Sequence, residues 1–213
     1  MKATKRSDAL ELLLVGSAAS LLEGDDLTID IRATGRVPII VKSVAAQVAH
    51  PCPNGGSTRQ TIRLQIENGA RLFWSVEPLI VAAAASHRND FFVDLDSSGS
   101  AVIHDTFLLG RSAEDPRAAV LRSQMGITLD HIPLFEDGLD MAAAGAHGPS
   151  GLHHMRFVST VIAAGWRPSA IPGCMPLAGE GSLVRSIGVD ATSCGTGVAD
   201  AAASWWAELL GSA

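Results

Sequence analysis

Three stretches of this chain repeat one design, and that repetition limits the possible folds more than any other feature. Leu27, Ile29, Ile31 and Ala33 alternate with Thr28, Asp30 and Arg32, and Thr34-Gly35 then leads into Pro38-Ile39-Ile40-Val41. Ile62, Leu64 and Ile66 alternate with Arg63 and Gln65 ahead of Asn68-Gly69 and Leu72-Phe73-Trp74. Phe91, Val93 and Leu95 alternate with Phe92, Asp94 and Asp96 ahead of Ser98-Gly99 and Ala101-Val102-Ile103. A period of two buries one face of each strand, and an x-Gly step supplies the positive φ of a tight hairpin turn. The turn glycines stand 34 and then 30 residues apart. Recurrence at that period predicts stacked β-hairpin layers, each covering a face its neighbour would expose. A β-sandwich of ordinary hairpins is the alternative, although its hairpins recur at closer spacing. Both readings make the body mainly β.

Past residue 121 the pattern thins. Ile127–Asp130 and Ile132–Phe135 read as strands ending at Asp137-Gly138, residues 142–151 as a loop, and Phe157–Ala164 as a buried strand. Residues 165–181 hold three prolines and four glycines and read as an irregular connection. Val198–Leu210 is the one convincing helix, set off by a Gly195-Thr196-Gly197 breaker. No low-complexity linker divides the chain, so residues 1–213 are expected to form a single β domain with a C-terminal α-helix.

Composition excludes several classes of protein. Hydrophobic residues make up 47% and charged residues 18%, which rules out a disordered, solvating chain. A net charge of −6 with no clustered basic stretch argues against nucleic-acid binding. No segment reaches the ~18 uncharged apolar residues of a membrane span. Lys2, Lys5 and Arg6 before Leu10–Leu22 imitate a signal peptide, with Ser17-Ala18-Ala19-Ser20 as a cleavage site. Asp8 and Glu11 interrupt that pattern, and the apolar run Leu12–Val15 is too short. Cys52, Cys174 and Cys194 form no CxxC pair, and an odd count fits a reducing compartment. A cytoplasmic protein is expected.

Catalytic signatures are absent. Gly148-Pro149-Ser150-Gly151 lacks nucleophile-elbow spacing, and Gly195-Thr196-Gly197 lacks the third glycine of a phosphate loop. His147, His153 and His154 cluster around a glycine-rich loop and are weak metal-ligand candidates; a solvated loop is the plainer reading. His50-Pro51-Cys52 offers an imidazole and a thiolate without a third ligand nearby. More pointed are charges bordering apolar runs: Glu77 after the Trp74 strand, His104-Asp105 after Ile103, and Arg111 after Gly110. Such groups must be paired, hydrated in a channel or used by a partner. An Asp105–Arg111 ion pair satisfies the first condition. A metal-binding β-solenoid or enzyme using Glu77, His104 and Asp105 is a further alternative. At the C-terminus, Trp205 with Leu209 and Trp206 with Leu210 form two i,i+4 pairs. Their broad apolar face must dock on the β body or on a partner, and partner contact is slightly favoured.

The stretch Leu21–Arg111 resembles the urease accessory protein UreD/UreH family. The carrying residues are Leu21-Leu22-Glu23-Gly24-Asp25 running into Leu27–Ile31, Ala45-Ala46 before Val48, and Asn68–Trp74 with Ile80 beyond. Asp105-Thr106-Phe107-Leu108-Leu109-Gly110-Arg111 follows, then Leu183-Val184-Arg185 with Gly188, Asp190 and a Trp-bearing terminal helix. The chain departs from that pattern at Ala19-Ser20, Gln47, Ala49 and Ala113-Glu114-Asp115-Pro116, and it is shorter than most relatives. The resemblance implies a non-catalytic chaperone built of stacked β layers. Its implied partners are apo-urease, a helical accessory protein of the UreF type and a nickel GTPase of the UreG type. It implies no tightly bound cofactor, only nickel in transit through a water-filled tunnel. Candidates for that path are Glu77, His104, Asp105 and Arg111; candidates for partner contact are Trp205, Trp206, Leu209 and Leu210. A conducting wall should carry scattered carboxylates rather than three convergent His or Cys ligands, because transit requires attraction without trapping.

Overall fold

The computed structural model describes residues 2–6, 9–16, 20–141, 152 and 155–211. In chain order the strands are β1 (Lys2–Arg6), β2 (Ala9–Leu14), β3 (Asp26–Thr34), β4 (Ile39–Ser43), β5 (Gln47–Ala49), β6 (Thr58–Glu67), β7 (Arg71–Ser75) and β8 (Leu79–Val81). They continue as β9 (Ser86–Leu95), β10 (Ser100–Leu109), β11 (Val120–Leu129), β12 (Ile132–Met141), β13 (Phe157–Ala164), β14 (Met175–Pro176) and β15 (Gly181–Gly188), and helix α1 (Ala191–Gly211) closes the chain. A ten-stranded large sheet runs β1-β2-β4-β7-β10-β13-β15-β14, with β5 and β8 alongside. A five-stranded small sheet runs β12-β11-β9-β6-β3.

The repeated units are layers, as their period predicts, but they are not hairpins. Each sends its first strand into the small sheet and its second into the large sheet. Successive units then stack in parallel, Ile29 on Ile62 on Phe91 in one sheet and Ile39 on Leu72 on Ala101 in the other. The turn is an arch between sheets, so the two apolar faces look at each other across the interior. That arrangement is a β-solenoid, in which each layer buries its neighbour's open face. Gly35 (φ 83°) and Gly69 (φ 75°) supply the expected left-handed backbone. Gly99 does not; a Cβ there would lie 2.4 Å from the Ile66 carbonyl oxygen, so close approach demands the glycine.

The tight hairpin in the small sheet joins β11 to β12 without any glycine. Asp130 (φ 50°) and His131 (φ 64°) make its two-residue turn, the twist that antiparallel strands favour. Strand β12 also runs on through Asp137-Gly138 to Met141 rather than ending there.

Two apolar clusters fill the space between the sheets, one around Leu64, Trp74 and Phe91, the other around Leu79, Phe107 and Leu121. A third lies outside the large sheet, under α1. This helix starts at Ala191 and passes through Gly195 and Gly197, so the expected breaker lies within it. Val198, Ala201, Ala202, Trp205, Trp206 and Leu209 pack on Val102, Val161, Ala163 and Val184. The Phe73 and Trp206 ring centroids are 5.4 Å apart. Trp205, Trp206 and Leu209 therefore face the β body, against the partner contact favoured from sequence; Leu210 stays 37% exposed. Covered by α1 on one face and the interior on the other, β13 is buried along its whole length, which accounts for its unbroken apolar run. No described helix is long and apolar enough to cross a membrane. The loop 142–151 with His147, the pair His153 and His154, and Ser17-Ala18-Ala19 lie outside the described residues.

Candidate functional site: a buried polar row between the sheets

The alternation that buries Ile62, Leu64 and Ile66 in β6 extends backwards to Gln60 and Thr58. In β9 it extends from Phe91 back to Asn89 and His87, and in β11 from Met125 back to Ser123. Register aligns these positions: Gln60 lies against Asn89, and Asn89 against Ser123. A row of amide and hydroxyl groups thus crosses the inner face of the small sheet between the two apolar clusters. Asn89 Nδ2 reaches Ser123 Oγ at 3.4 Å, while Gln60 Oε1 and Asn89 Oδ1 find no partner among the described residues. One row further, Thr58 Oγ1 and His87 Nδ1 share a 2.7 Å hydrogen bond, and His87 Nε2 has no partner among the described residues. Burial pushes the His87 imidazole down to about 4, opposed by the Asp90 charge, so the ring is neutral near pH 7.

The large sheet adds the charges. Asp105 in β10, Thr160 in β13 and Arg185 in β15 lie side by side and turn inward. They line a small cavity shared with Ser123, Met125, Asp137 and Leu139 of the opposite sheet; its roughly 10 Å³ of water-accessible space suits about one water. Arg185 donates to Thr160 Oγ1 at 2.9 Å and to Asp137 Oδ2, bridging the two sheets beside the cavity. Among the described residues Asp105 Oδ2 has no hydrogen-bond partner. Burial raises the Asp105 carboxyl to about 7, against the opposing pull of the Thr106 backbone N–H and the Arg185 charge. A carboxyl so placed exchanges a proton, or accepts a cation, near physiological pH.

Of the four path candidates from sequence, Asp105 lines this cavity. His104 cannot join it, because neighbouring residues in a strand point to opposite faces. Its Nε2 instead meets Ser159 Oγ at 3.0 Å and Thr106 Oγ1 at 3.3 Å on the other side of the sheet. Glu77 is exposed in the loop after β7. Arg111 is exposed and pairs with Glu114, Nη2 to Oε1 at 2.5 Å, rather than with Asp105. That pairing, with bonds from the Arg111 and Ala83 backbone, holds Glu114 down to about 2. The Leu109-Gly110-Arg111 segment is thus a corner, stitched further by Arg156 donating to the Gly110 and Arg111 carbonyls. Asp105 finds its opposite charge in Arg185. Glu77, His104 and Asp105 form no common site, and among the described residues no three His, Cys, Asp or Glu side chains converge as metal ligands.

Fold and interior together define a class: a parallel-stacked β scaffold with a charged cavity and a polar row between its sheets. Residues 1–211 match the family model described as UreD urease accessory protein, and the chain belongs to that family. It is 29% identical over 195 residues to urease accessory protein UreD 1 of Saccharopolyspora erythraea, covering 88% of this chain and 76% of the relative. To UreD of Frankia alni it is 30% identical over 206 residues, covering 84% and 69%. To UreD 1 of Streptomyces griseus it is 31% identical over 190 residues, covering 87% and 72%. These relatives carry the names of accessory proteins, not of an enzyme.

Proposed function

We propose that the chain is a cytoplasmic maturation scaffold for urease. In this reading it binds apo-urease together with a UreF-type helical protein and a UreG-type GTPase, and passes Ni²⁺ along the buried polar row. The observation that carries the reading is Asp105: a buried carboxylate whose Oδ2 has no hydrogen-bond partner among the described residues, on a cavity wall shared with the Arg185–Asp137 pair, the Ser123 and Thr160 hydroxyls and apolar side chains. One such anion attracts a divalent cation, and Arg185 beside it weakens the hold, which suits cargo more than a resident metal. Once deprotonated, Asp105 supplies the attracting charge; Gln60 Oε1, Asn89 Oδ1 and Ser123 Oγ supply oxygens that can replace waters of hydration.

The deciding experiment is reconstitution with Asp105→Asn, which keeps shape and removes charge. The variant should still pull down apo-urease and the accessory proteins, yet yield urease with several-fold less nickel. Normal nickel content in urease matured by a well-folded Asp105→Asn protein would sink the assignment.

A further inference from the structure

The outer face of the small sheet carries a row of three arginines. Register places Arg59 of β6 beside Arg88 of β9, Arg88 beside Arg122 of β11, and Arg122 beside Asp140 of β12. Like charges directly opposite one another repel, so the row needs anions. Asp90, two residues along β9 and 1% exposed, holds two of the three from beneath: Arg59 Nη2 and Arg88 Nε each reach it at 2.8 Å. Arg122 has a looser ion pair, Nε to Asp140 Oδ2 at 3.5 Å, with both side chains more than half exposed. Such a pair contributes little. All three arginine side chains stay open to solvent, at 49%, 52% and 59%.

Next to this row the sheet is hollow. Arg88, Arg122, Gln124, Glu136, Gly138 and Asp140 line a trough of roughly 530 Å³. Gln124 and Gly138 lie side by side in the row after the arginines. Gly138 has no reason within the described residues to be glycine: its backbone is not left-handed, and a Cβ there would meet nothing within 4 Å. Gly126, one row on, differs, because a Cβ there would meet the Phe92 ring at 3.4 Å. An interior strand glycine weakens the strand and marks a place where a ligand or another backbone comes close. The lining charges decide what sign that visitor carries. Glu136 lies two rows from the arginines, about 13 Å at the rise of a strand. That exceeds the Debye length of about 8 Å at physiological ionic strength. A carboxylate seated between Arg88 and Arg122 therefore feels both guanidiniums and scarcely feels Glu136. Most residues lining the trough are charged, whereas pockets for small cofactors are mostly apolar, which favours a protein segment as the occupant.

We propose that this trough receives an acidic segment of a partner protein. The segment's backbone passes over Gly138, and its Asp or Glu side chains accept from Arg88 and Arg122, with Arg59 extending the row. The proposal is independent of the nickel path, whose residues lie on the inner faces of the sheets.

The test uses the full chain and two labelled eight-residue peptides, one alternating glutamate with serine and one alternating glutamine with serine, read by fluorescence anisotropy. The chain's net charge of −6 repels a polyanion, so saturable binding reports a local site. The glutamate peptide should saturate and bind at least tenfold more tightly than the glutamine peptide. Gly138→Val fills the trough at a position with room for a side chain; it should leave Tm unchanged or higher and weaken the glutamate peptide at least tenfold. Arg122→Gln should weaken it at least fivefold. Asp140→Asn removes the carboxylate that competes for Arg122 and should tighten it several-fold. Damage to the fold does not produce such a gain, which covers the case of a misfolded valine variant. Absence of saturable binding, equal binding of the two peptides, or unchanged affinity across the three variants would overturn the proposal. Displacement of the glutamate peptide by an equimolar amount of inorganic phosphate would assign the arginines to a phosphate group and overturn it equally.

Discussion

Asp90 and Asp105 are both almost fully buried, at 1% and 8% exposure, yet they titrate in opposite directions. Asp90 lies on the outer face of the small sheet, where Arg59 Nη2 and Arg88 Nε each approach to 2.8 Å. Burial alone would raise its pKa; the two guanidiniums outweigh burial and lower it. Asp105 sits between the sheets with one oxygen unpaired and Arg185 acting only through its field, and burial wins. The difference separates two uses of one side chain. Asp90 is satisfied by its own chain and ties β6 to β9, whereas Asp105 is left short of a partner, as a group awaiting a cation or proton would be.

That contrast breaks most sharply on stability. The shift of Asp105 from 3.8 to about 7 corresponds to on the order of 4 kcal/mol. The folded state keeps this proton above the unfolded pKa, so stability falls as pH rises from about 4 to about 7. Asp105→Asn should therefore stabilise the chain at pH 8, by up to that amount, with little gain at pH 4. Thermal unfolding of both proteins across that range measures it; a destabilised Asn variant at pH 8 would mean the carboxylate is satisfied after all.

His87 should act with the opposite sign. The folded ring stays neutral from about 6.5 down to about 4 while the unfolded ring protonates, so stability is lost as pH falls through that window. The contribution is on the order of 3 kcal/mol. Between pH 4 and 6.5 the two groups oppose one another, which predicts a nearly flat wild-type profile. His87→Gln should expose the Asp105 slope as rising stability on acidification, read from urea midpoints at each pH.

Asp90→Asn should cost about 2 kcal/mol at pH 7, the scale of lost charge-assisted hydrogen bonds. Because its folded pKa is depressed, the stabilisation is present above the ordinary carboxylate range and lost as pH falls through the folded value. Asp90→Asn and Asp105→Asn should thus shift Tm in opposite directions at pH 8.

The polar row is legible in the sequence only by parity: Gln60, Asn89 and His87 share the inward parity of Ile62 and Phe91, but their polar side chains break the apolar alternation that marks a buried face. The three layers and the buried β13 were legible because period two and a 30-residue recurrence are local signals. The arch was not, since a turn between sheets and a turn within one use the same x-Gly step. The same parity forbids His104 and Asp105 from sharing a site, although they are adjacent in sequence. Neither Arg185 nor Asp137 could be joined to Asp105 from spacing, because only the packing of β10, β13 and β15 against β12 brings them together.

The smallest expected effect tests that last point. Sequence proximity suggests Asp105 with Arg111, whereas the fold pairs Arg111 with Glu114 and gives Asp105 the field of Arg185. Arg111 is half exposed, so Arg111→Ala should cost no more than about 1 kcal/mol. In a double-mutant cycle at pH 8, Asp105→Asn and Arg111→Ala should be additive within about 0.5 kcal/mol. Asp105→Asn and Arg185→Met should not be additive: removing the arginine leaves the buried carboxylate without its only compensating charge, and neutralising both relieves that cost. Coupling between Asp105 and Arg111 would show that the Leu-Gly-Arg corner reaches the interior. Coupling confined to Arg185 would place the functional charge pair across β10, β13 and β15, with the corner serving the turn alone.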